Sequence, residues 1–453
     1  MTEKKQIGKF FCVMLCMTVV LGLFENVFVA ANSTITAETY VAFTAVYFQG
    51  DPGAGIAGYD LKNSQDRVFA FDYNGDGKKD LCLYRPGTGA IFITRSSGAG
   101  TFTAVFAQGD PGLGIAGYDL KSTNDQIFPF DYNGDGKSDL CLYRPGTGAI
   151  FIARSNGTGT FTAVYAQGDP GAGLAGYDLK SVKDRVFPFD YNGDGKSDLC
   201  LYRPGTGAIF IARSNGDGTF TAVYAQGDPG SGIAGYDLKS SSDQIFPFDY
   251  NGDGKSDLCL YRPGTGAIYI ARSNGNGAFS TVYYQGDPGS GIAGYDLKSS
   301  KDRVFPFDYN GDGNVDLALY RPGVGAIFIV KSNGDGTFTT VYAQGAPGSG
   351  IAGYDLKSSS DQVFAFDYNG DGKKDLCLYR PGTGAIFIAR SNGDGSFTAV
   401  YAQGAPGSGL AGYDLKSTAD RVFAFDYNND GDDDLCIYRP GTGAIAIIDS
   451  DSY

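Results

Sequence analysis

The string Asp-Tyr-Asn begins at Asp72, Asp131, Asp190, Asp249, Asp308, Asp367 and Asp426, and every step is 59 residues. Seven such units account for 413 of the 453 residues, so the chain must fold as an array of one supersecondary unit. Positions 67, 126, 185, 244, 303, 362 and 421 alternate Arg and Gln, which points to duplication in pairs. Identity between copies therefore carries little functional weight by itself.

Each unit contains four apolar runs of strand length, at residues 68–72, 81–85, 90–95 and 102–108 in the first copy. They are rich in aromatic and β-branched residues and are separated by Asn-Gly-Asp-Gly, Pro-Gly-Thr-Gly and Gly-Ala-Gly segments, as hairpin connections require. No helical periodicity interrupts them, and 69 glycines with 31 Tyr and 32 Phe suit many turns joined by aromatic strands. Four antiparallel strands in each of seven units predict an all-β fold, a seven-bladed β-propeller; a linear solenoid is the alternative. Residues 43–50 copy the fourth run, while the chain finishes after a third run at 444–448. The two ends complete one blade, so the N-terminal strand is expected to close the ring and leave no long sheet edge.

Lys4, Lys5 and Lys9 precede an uncharged apolar run at residues 10–24, with Val29-Ala30-Ala31 beyond it. This reads as a secretory signal peptide over residues 1–31, because the run is too short for a comfortable membrane span and small residues sit at the cut; an uncleaved anchor is the alternative. Residues 32–453 would then be a single secreted, extracellular propeller with no membrane span after cleavage. Six cysteines remain, Cys82, Cys141, Cys200, Cys259, Cys377 and Cys436, all at one repeat position, where the fifth copy has Ala318. Equivalent atoms of successive repeats lie too far apart to bridge, so these are expected to be buried, unpaired thiols. Asn32-Ser33-Thr34 and Asn156-Gly157-Thr158 fit glycosylation sequons.

The chain has no histidine, which removes imidazole-based nucleophile systems and histidine zinc sites. Glu38 is the only glutamate after residue 31, and no residue constellation stands outside the repeat, so an enzyme is not expected. A net charge of −14 opposes binding to a phosphate backbone, so no nucleic acid partner is expected.

Each first hairpin reads Asp-Tyr-Asn-Gly-Asp-Gly-x-x-Asp, with Asn429 replacing the first Gly in the last copy. Oxygen donors at positions 1, 3, 5 and 9, with a backbone carbonyl at 7 and glycine at 6, suit Ca²⁺. In the first copy these are Asp72, Asn74, Asp76, Asp80 and the carbonyl of Lys78. Their equivalents are Asp131, Asn133, Asp135, Lys137 and Asp139; Asp190, Asn192, Asp194, Lys196 and Asp198; and Asp249, Asn251, Asp253, Lys255 and Asp257. The last three copies supply Asp308, Asn310, Asp312, Asn314 and Asp316; Asp367, Asn369, Asp371, Lys373 and Asp375; and Asp426, Asn428, Asp430, Asp432 and Asp434. A polar hairpin held by Asx-type hydrogen bonds is the plainer alternative. Without residues 1–31 the net charge is −15, and seven Ca²⁺ would bring it to −1.

On these loops, across about residues 40–450, the chain resembles the FG-GAP or VCBS calcium-loop propellers of integrin α-chains and secreted bacterial proteins, and is similar to seven-bladed mushroom lectins of the Psathyrella type. The resemblance implies a calcium-binding propeller and, from the lectins, shallow glycan pockets at or between blades.

Antiparallel order places the carboxylate hairpins on one face of the disc and, on the other, the Arg-Pro-Gly-Thr-Gly turns with the long fourth-to-first connections. The candidate sugar-contacting residues on that second face are Tyr59, Asp60 and Arg85 and their equivalents: Tyr118, Asp119 and Arg144; Tyr177, Asp178 and Arg203; Tyr236, Asp237 and Arg262; Tyr295, Asp296 and Arg321; Tyr354, Asp355 and Arg380; and Tyr413, Asp414 and Arg439. Asp and Arg can satisfy hydroxyls while Tyr packs on an apolar ring face. Equally, Arg85 and Asp60 can form an ion pair that only holds the loop, with Tyr59 and Tyr84 packing between blades. The acid at Asp51, Asp110, Asp169, Asp228 and Asp287 becomes Ala346 and Ala405 in later copies, so seven sites using it would be unequal. The leading expectation is a secreted, calcium-stabilised, multivalent carbohydrate-binding propeller; the alternative is an adhesion or scaffold protein that binds another extracellular protein through the disc face.

Overall fold

The computed structural model describes residues 41–450, so the expected signal peptide and the sequon at Asn32 lie outside the described residues. Twenty-eight strands, numbered in chain order, form seven four-stranded antiparallel sheets. The first blade is β2 (Arg67–Phe71), β3 (Asp80–Arg85), β4 (Ala90–Ser96) and β5 (Phe102–Gln108), and the pattern recurs at 59-residue steps through β6 to β25. The last blade joins β26 (Arg421–Phe425), β27 (Asp434–Arg439) and β28 (Ala444–Asp449) to β1 (Thr44–Gln49), in the order β1-β28-β27-β26. The seven-bladed propeller and its closure by the N-terminal strand are thus both present.

Alternation along each strand builds the packing. In β3, Leu81 and Leu83 point into the core shared with the last blade, beside Cys436 and Tyr438. Cys82 and Tyr84 point the other way, into the core shared with the second blade, beside Leu140 and Leu142. Every residue of β3 is consequently buried, as expected of a strand covered on both faces. The six described cysteines are buried and unpaired, with Ala318 occupying the same position in the fifth blade. Seven inter-blade cores result, and the one between the last and first blades is built like the others.

Closure at the seam repeats internal geometry with parts exchanged. Phe92 pairs across the sheet with Ala107 in the first blade, whereas in the last blade the aromatic comes from the other strand, as Phe48 opposite Ala446. Gly53 and Gly443 approach so closely that a Cβ on Gly53 would lie 2.2 Å from the Gly443 carbonyl oxygen. Gly112 and Gly89 make the same approach inside the ring.

Candidate functional site

The carboxylate hairpins form a continuous belt on one face. The Asp72 carbonyl accepts from Ser138 N–H at 2.7 Å, and the series runs through all seven loops until the Asp426 carbonyl accepts from Lys79 N–H at 2.8 Å. Buried serines add a second link, as where Ser96 Oγ donates to the Tyr427 carbonyl at 2.7 Å.

Within the first loop, Asp72 accepts from Gly75 N–H and Gly77 N–H at 2.7 and 2.9 Å, Asn74 accepts from Asp76 N–H, and Asp76 accepts from Lys78 N–H. Position 9 differs from the others. Asp80 Oδ1 accepts from Ser96 N–H at 2.7 Å, but Oδ2 of Asp80, Asp139, Asp198 and Asp316 is buried without a hydrogen-bond partner. In Asp257, Asp375 and Asp434 the same oxygen has only a long contact, 3.2–3.3 Å, from a tyrosine N–H. Burial, with Asp76 and Asp72 adding repulsion, pushes the Asp80 carboxyl up to about 7; burial takes Asp434 to about 8. An orphaned carboxylate oxygen beside further acids fits a hard cation, which would supply the missing partner. Among the described residues no three acidic side chains are gathered into a ready metal cluster, because position 1 spends hydrogen bonds on the loop's own glycines and basic side chains approach position 5, as with Lys373 and Asp371 at 2.9 Å. In the first loop each of these acceptor oxygens takes a single bond and keeps a second lone pair for an ion, whereas Asp131 Oδ1 already accepts from three N–H groups of its own turn. Asn429 adopts φ 64°, near the φ 74° of Gly75, a left-handed conformation that asparagine tolerates.

On the opposite face each arginine at the end of the second strand clamps two successive connections. Arg85 reaches Asp66 through Nε at 2.7 Å and Nη2 at 2.9 Å, and Asp60 through Nη2 at 2.6 Å. Its Nη1 reaches Asp110, in the following connection, at 2.8 Å. The guanidinium lies 5.6 Å from the Tyr59 ring centroid, and Tyr59 Oη donates to Asp66 Oδ1 at 2.7 Å. Burial, then the Asp66 carboxylate, pushes the Tyr59 hydroxyl far above its usual range. Tyr59 and its six equivalents are each 3% exposed, with their rings turned to the guanidinium. Asp60 and its equivalents remain half-exposed, at 50–52% of the side chain. Burial tends to raise the Asp60 carboxyl, but the Lys62 N–H and the Arg85 guanidinium outweigh it and hold the group below the usual carboxylate range.

All three predicted residues of each triad therefore meet, with only the aspartate largely open to solvent. At the seam the group lines a shallow hollow of about 130 Å³ formed by Phe48, Gly50, Asp51, Gly412, Tyr413, Asp414, Arg439 and Ala444. Two larger hollows, of about 630 and 430 Å³, lie on the same face beside the innermost strands. Both are lined by residues of the Arg/Gln alternation, which sequence reasoning treated only as a mark of duplication; Arg67 Nη1, for example, donates to Gln126 Oε1 at 3.0 Å. The connection is also more ordered than a loop of its length suggests: Ile56 and Tyr59 bridge through paired backbone hydrogen bonds, and Ile56 and Leu61 are buried. Asp66 was missed as the clamp's central acceptor, although an acid recurs there in all seven copies.

The FG-GAP-like repeat family model matches residues 249–319, 308–378 and 367–437. The chain is a seven-bladed β-propeller, and residues 249–437 of it match FG-GAP-like repeats. It is similar in fold to an Agrocybe aegerita lectin whose structure concerns recognition of non-reducing terminal N-acetylglucosamine, with 24% identity, a TM-score of 0.55, and coverage of 76% of this chain and 81% of that one. It also matches BBS1N, solved in complex with ARL6DN, at 14% identity and a TM-score of 0.49 over 91% and 98% of the two chains. A Lactobacillus plantarum protein matches at 13% identity and a TM-score of 0.43 over 85% and 96%. No curated protein matches the chain. Among the described residues no helix is long and apolar enough to cross a membrane.

Proposed function

We propose that the protein is a secreted, multivalent carbohydrate-binding propeller whose carboxylate loops take up Ca²⁺ as a structural ion. The observation that carries the reading is the hollow at Asp414 and Arg439. An exposed carboxylate is held in place there by a buried guanidinium, 2.6 Å away, next to the partly exposed aromatic Phe48. Fixed acceptors beside a hydrophobic edge suit a sugar ring, whose hydroxyls need partners and whose C–H face needs apolar contact. The buried tyrosines serve as the clamp's support, and sugar contact is assigned to the carboxylates and the neighbouring Phe rim. The same carboxylate–guanidinium pair recurs in all seven blades, and seven weak sites on one disc would give avidity. The likeness to the Agrocybe aegerita lectin is consistent with this reading.

Asp72, Asn74, Asp76 and Asp80, with the carbonyl of Lys78, would hold the ion in the first blade. Ca²⁺ would neutralise the buried position-9 carboxylates and tie adjacent loops of the belt together, stabilising the fold by linkage. No chemistry is assigned to it, and the protein is read as a binding module and not an enzyme.

A glycan array probed in millimolar calcium, with a chelated arm, tests the reading. Binding of one sugar class is expected, weakened on chelation. A blank array from folded protein would reject it in favour of an extracellular protein partner.

A further inference from the structure

In five blades Nη1 of the clamp arginine is closed by an aspartate of the following connection. The pairs are Arg85–Asp110, Arg144–Asp169, Arg203–Asp228, Arg262–Asp287 and Arg439–Asp51, all at 2.7–2.8 Å. In the fifth and sixth blades that residue is Ala346 or Ala405. Among the described residues no carboxylate reaches Nη1 of Arg321 or Arg380, whereas Nε and Nη2 keep their bonds to Asp302 and Asp296, and to Asp361 and Asp355.

The connections do not collapse into the gap. Gly348 and Gly350 N–H still reach the carbonyls of Val324 and Gly325 at 2.8 and 2.9 Å, and Gly407 and Gly409 reach Thr383 and Gly384 at the same distances. In the first blade Gly112 and Gly114 make the corresponding bonds at 2.9 Å. Backbone geometry is therefore retained while one carboxylate is removed, and both arginines become more exposed, 14–15% of the side chain against 8–10% in the other five.

We infer that Arg321 and Arg380 form two adjacent subsites for the carboxylate of an acidic sugar, which occupies the place that an aspartate fills in the other five blades. The inference rests on the carbohydrate-binding reading and narrows it to uronate-bearing glycans at these blades. The five closed blades show that the clamp accommodates a third carboxylate next to the two it already holds. A guanidinium offers a planar, charge-assisted donor fork to such a group. The exposed Asp296 and Asp355 carboxylates stand beside the vacant Nη1 and can accept from neighbouring sugar hydroxyls. They also repel a bare anion, so a carboxylate presented on a sugar ring is favoured over a free inorganic ion. Because the two vacancies fall in consecutive blades, an oligosaccharide with several uronates can engage both.

The test titrates trigalacturonate and its methyl ester into the full-length folded protein by calorimetry, with inorganic phosphate as a competing anion. Wild type is expected to prefer the acid over the ester by roughly tenfold, the effect of about one charge-assisted hydrogen bond. The Ala346→Asp/Ala405→Asp double variant restores the arrangement of the other blades and should fold as well as wild type while losing that preference. Asp110→Ala should open a third vacancy and raise the uronate stoichiometry. Equal preference in the double variant overturns the inference, as does displacement of trigalacturonate by phosphate at equal concentration. Binding of neutral array glycans by the double variant separates the two claims, since it upholds carbohydrate binding whether or not the acidic subsites exist. If neutral glycans fail against every variant, the carbohydrate reading fails, and an acetate titration of wild type against the double variant decides the vacancy by itself.

Discussion

Arg439 and Asp51 are 388 positions apart in the chain, yet Arg439 Nη1 donates to Asp51 Oδ2 at 2.7 Å. The contact is the seam copy of Arg85–Asp110, so closure of the ring reuses a bond found inside it. Asp51 is 40% exposed, and alanine stands at the equivalent place in two blades. Asp51→Ala should therefore cost about 1 kcal/mol or less, as exposed ion pairs do, and no more than Asp110→Ala by chemical denaturation. Deleting residues 41–50 removes β1 from the last sheet and exposes β28, so that variant is expected to unfold or aggregate in size-exclusion chromatography. A monomeric truncation with unchanged melting temperature would contradict closure by β1.

Asp66 is the buried centre of the clamp, with Tyr59, Arg85 and the Asn63 N–H converging on its two oxygens. Asp66→Ala removes the only fully buried carboxylate of the clamp, leaving Arg85 Nε and the Tyr59 hydroxyl without their partner while Asp60 and Asp110 still hold Nη2 and Nη1, and should cost about 3 kcal/mol in a denaturant titration. Tyr59→Phe removes one hydrogen bond but keeps the ring, for about 1 kcal/mol. Similar costs for the two would contradict the central place given to Asp66.

Raised position-9 carboxyls make the stability of the metal-free protein depend on pH. Their folded values, about 7 in Asp80 and about 8 in Asp434, exceed the ordinary carboxylate value of about 4 in the unfolded chain. Protonation thus favours the folded state, and this contribution is complete below about pH 4 and lost as pH rises through 7–8. In chelator, the melting temperature should fall between pH 5.5 and 8.5, and saturating calcium should remove most of that fall. A melting temperature that rises across the range in chelator would contradict the assignment.

The six described cysteines are buried, and burial raises each thiol above its ordinary range. A thiol reagent should find none of these six in the native protein and all of them after denaturation, and reductant should leave the melting curve unchanged. Cys82→Ala reproduces the side chain at Ala318 and is expected to cost about 1–2 kcal/mol through lost packing. Rapid labelling of any of the six in native protein would contradict the packing described.

The fold was legible because the 59-residue step and the period-two alternation constrain the same object, and strand ends differ from the sequence reading by about one residue. Phe48, standing where the other copies of the fourth strand have Ala or Tyr, makes sense only beside Ala446, a pairing that becomes visible once the sheet exists. The site was legible in part. Tyr59, Asp60 and Arg85 do meet, but their division of labour depends on Asp66, 19 positions from Arg85, and on Asp110, 25 positions away. No local pattern links those positions. Comparing copies offered the missing signal, since the acid at Asp66 recurs in all seven while that at Asp110 is replaced in two. The carboxylate loops were plain in sequence, yet only the structure separates position 9, with its orphaned oxygen, from positions 1 to 5, which also serve their own turn.

The most direct test of the account is a crystal structure of the protein with the best-bound array sugar, grown in calcium. The account predicts sugar on the face of Asp60 and its equivalents, in several blades, with those carboxylates accepting its hydroxyls. Sugar bound instead among the carboxylate loops, or away from the Asp60 positions in every blade, would contradict it.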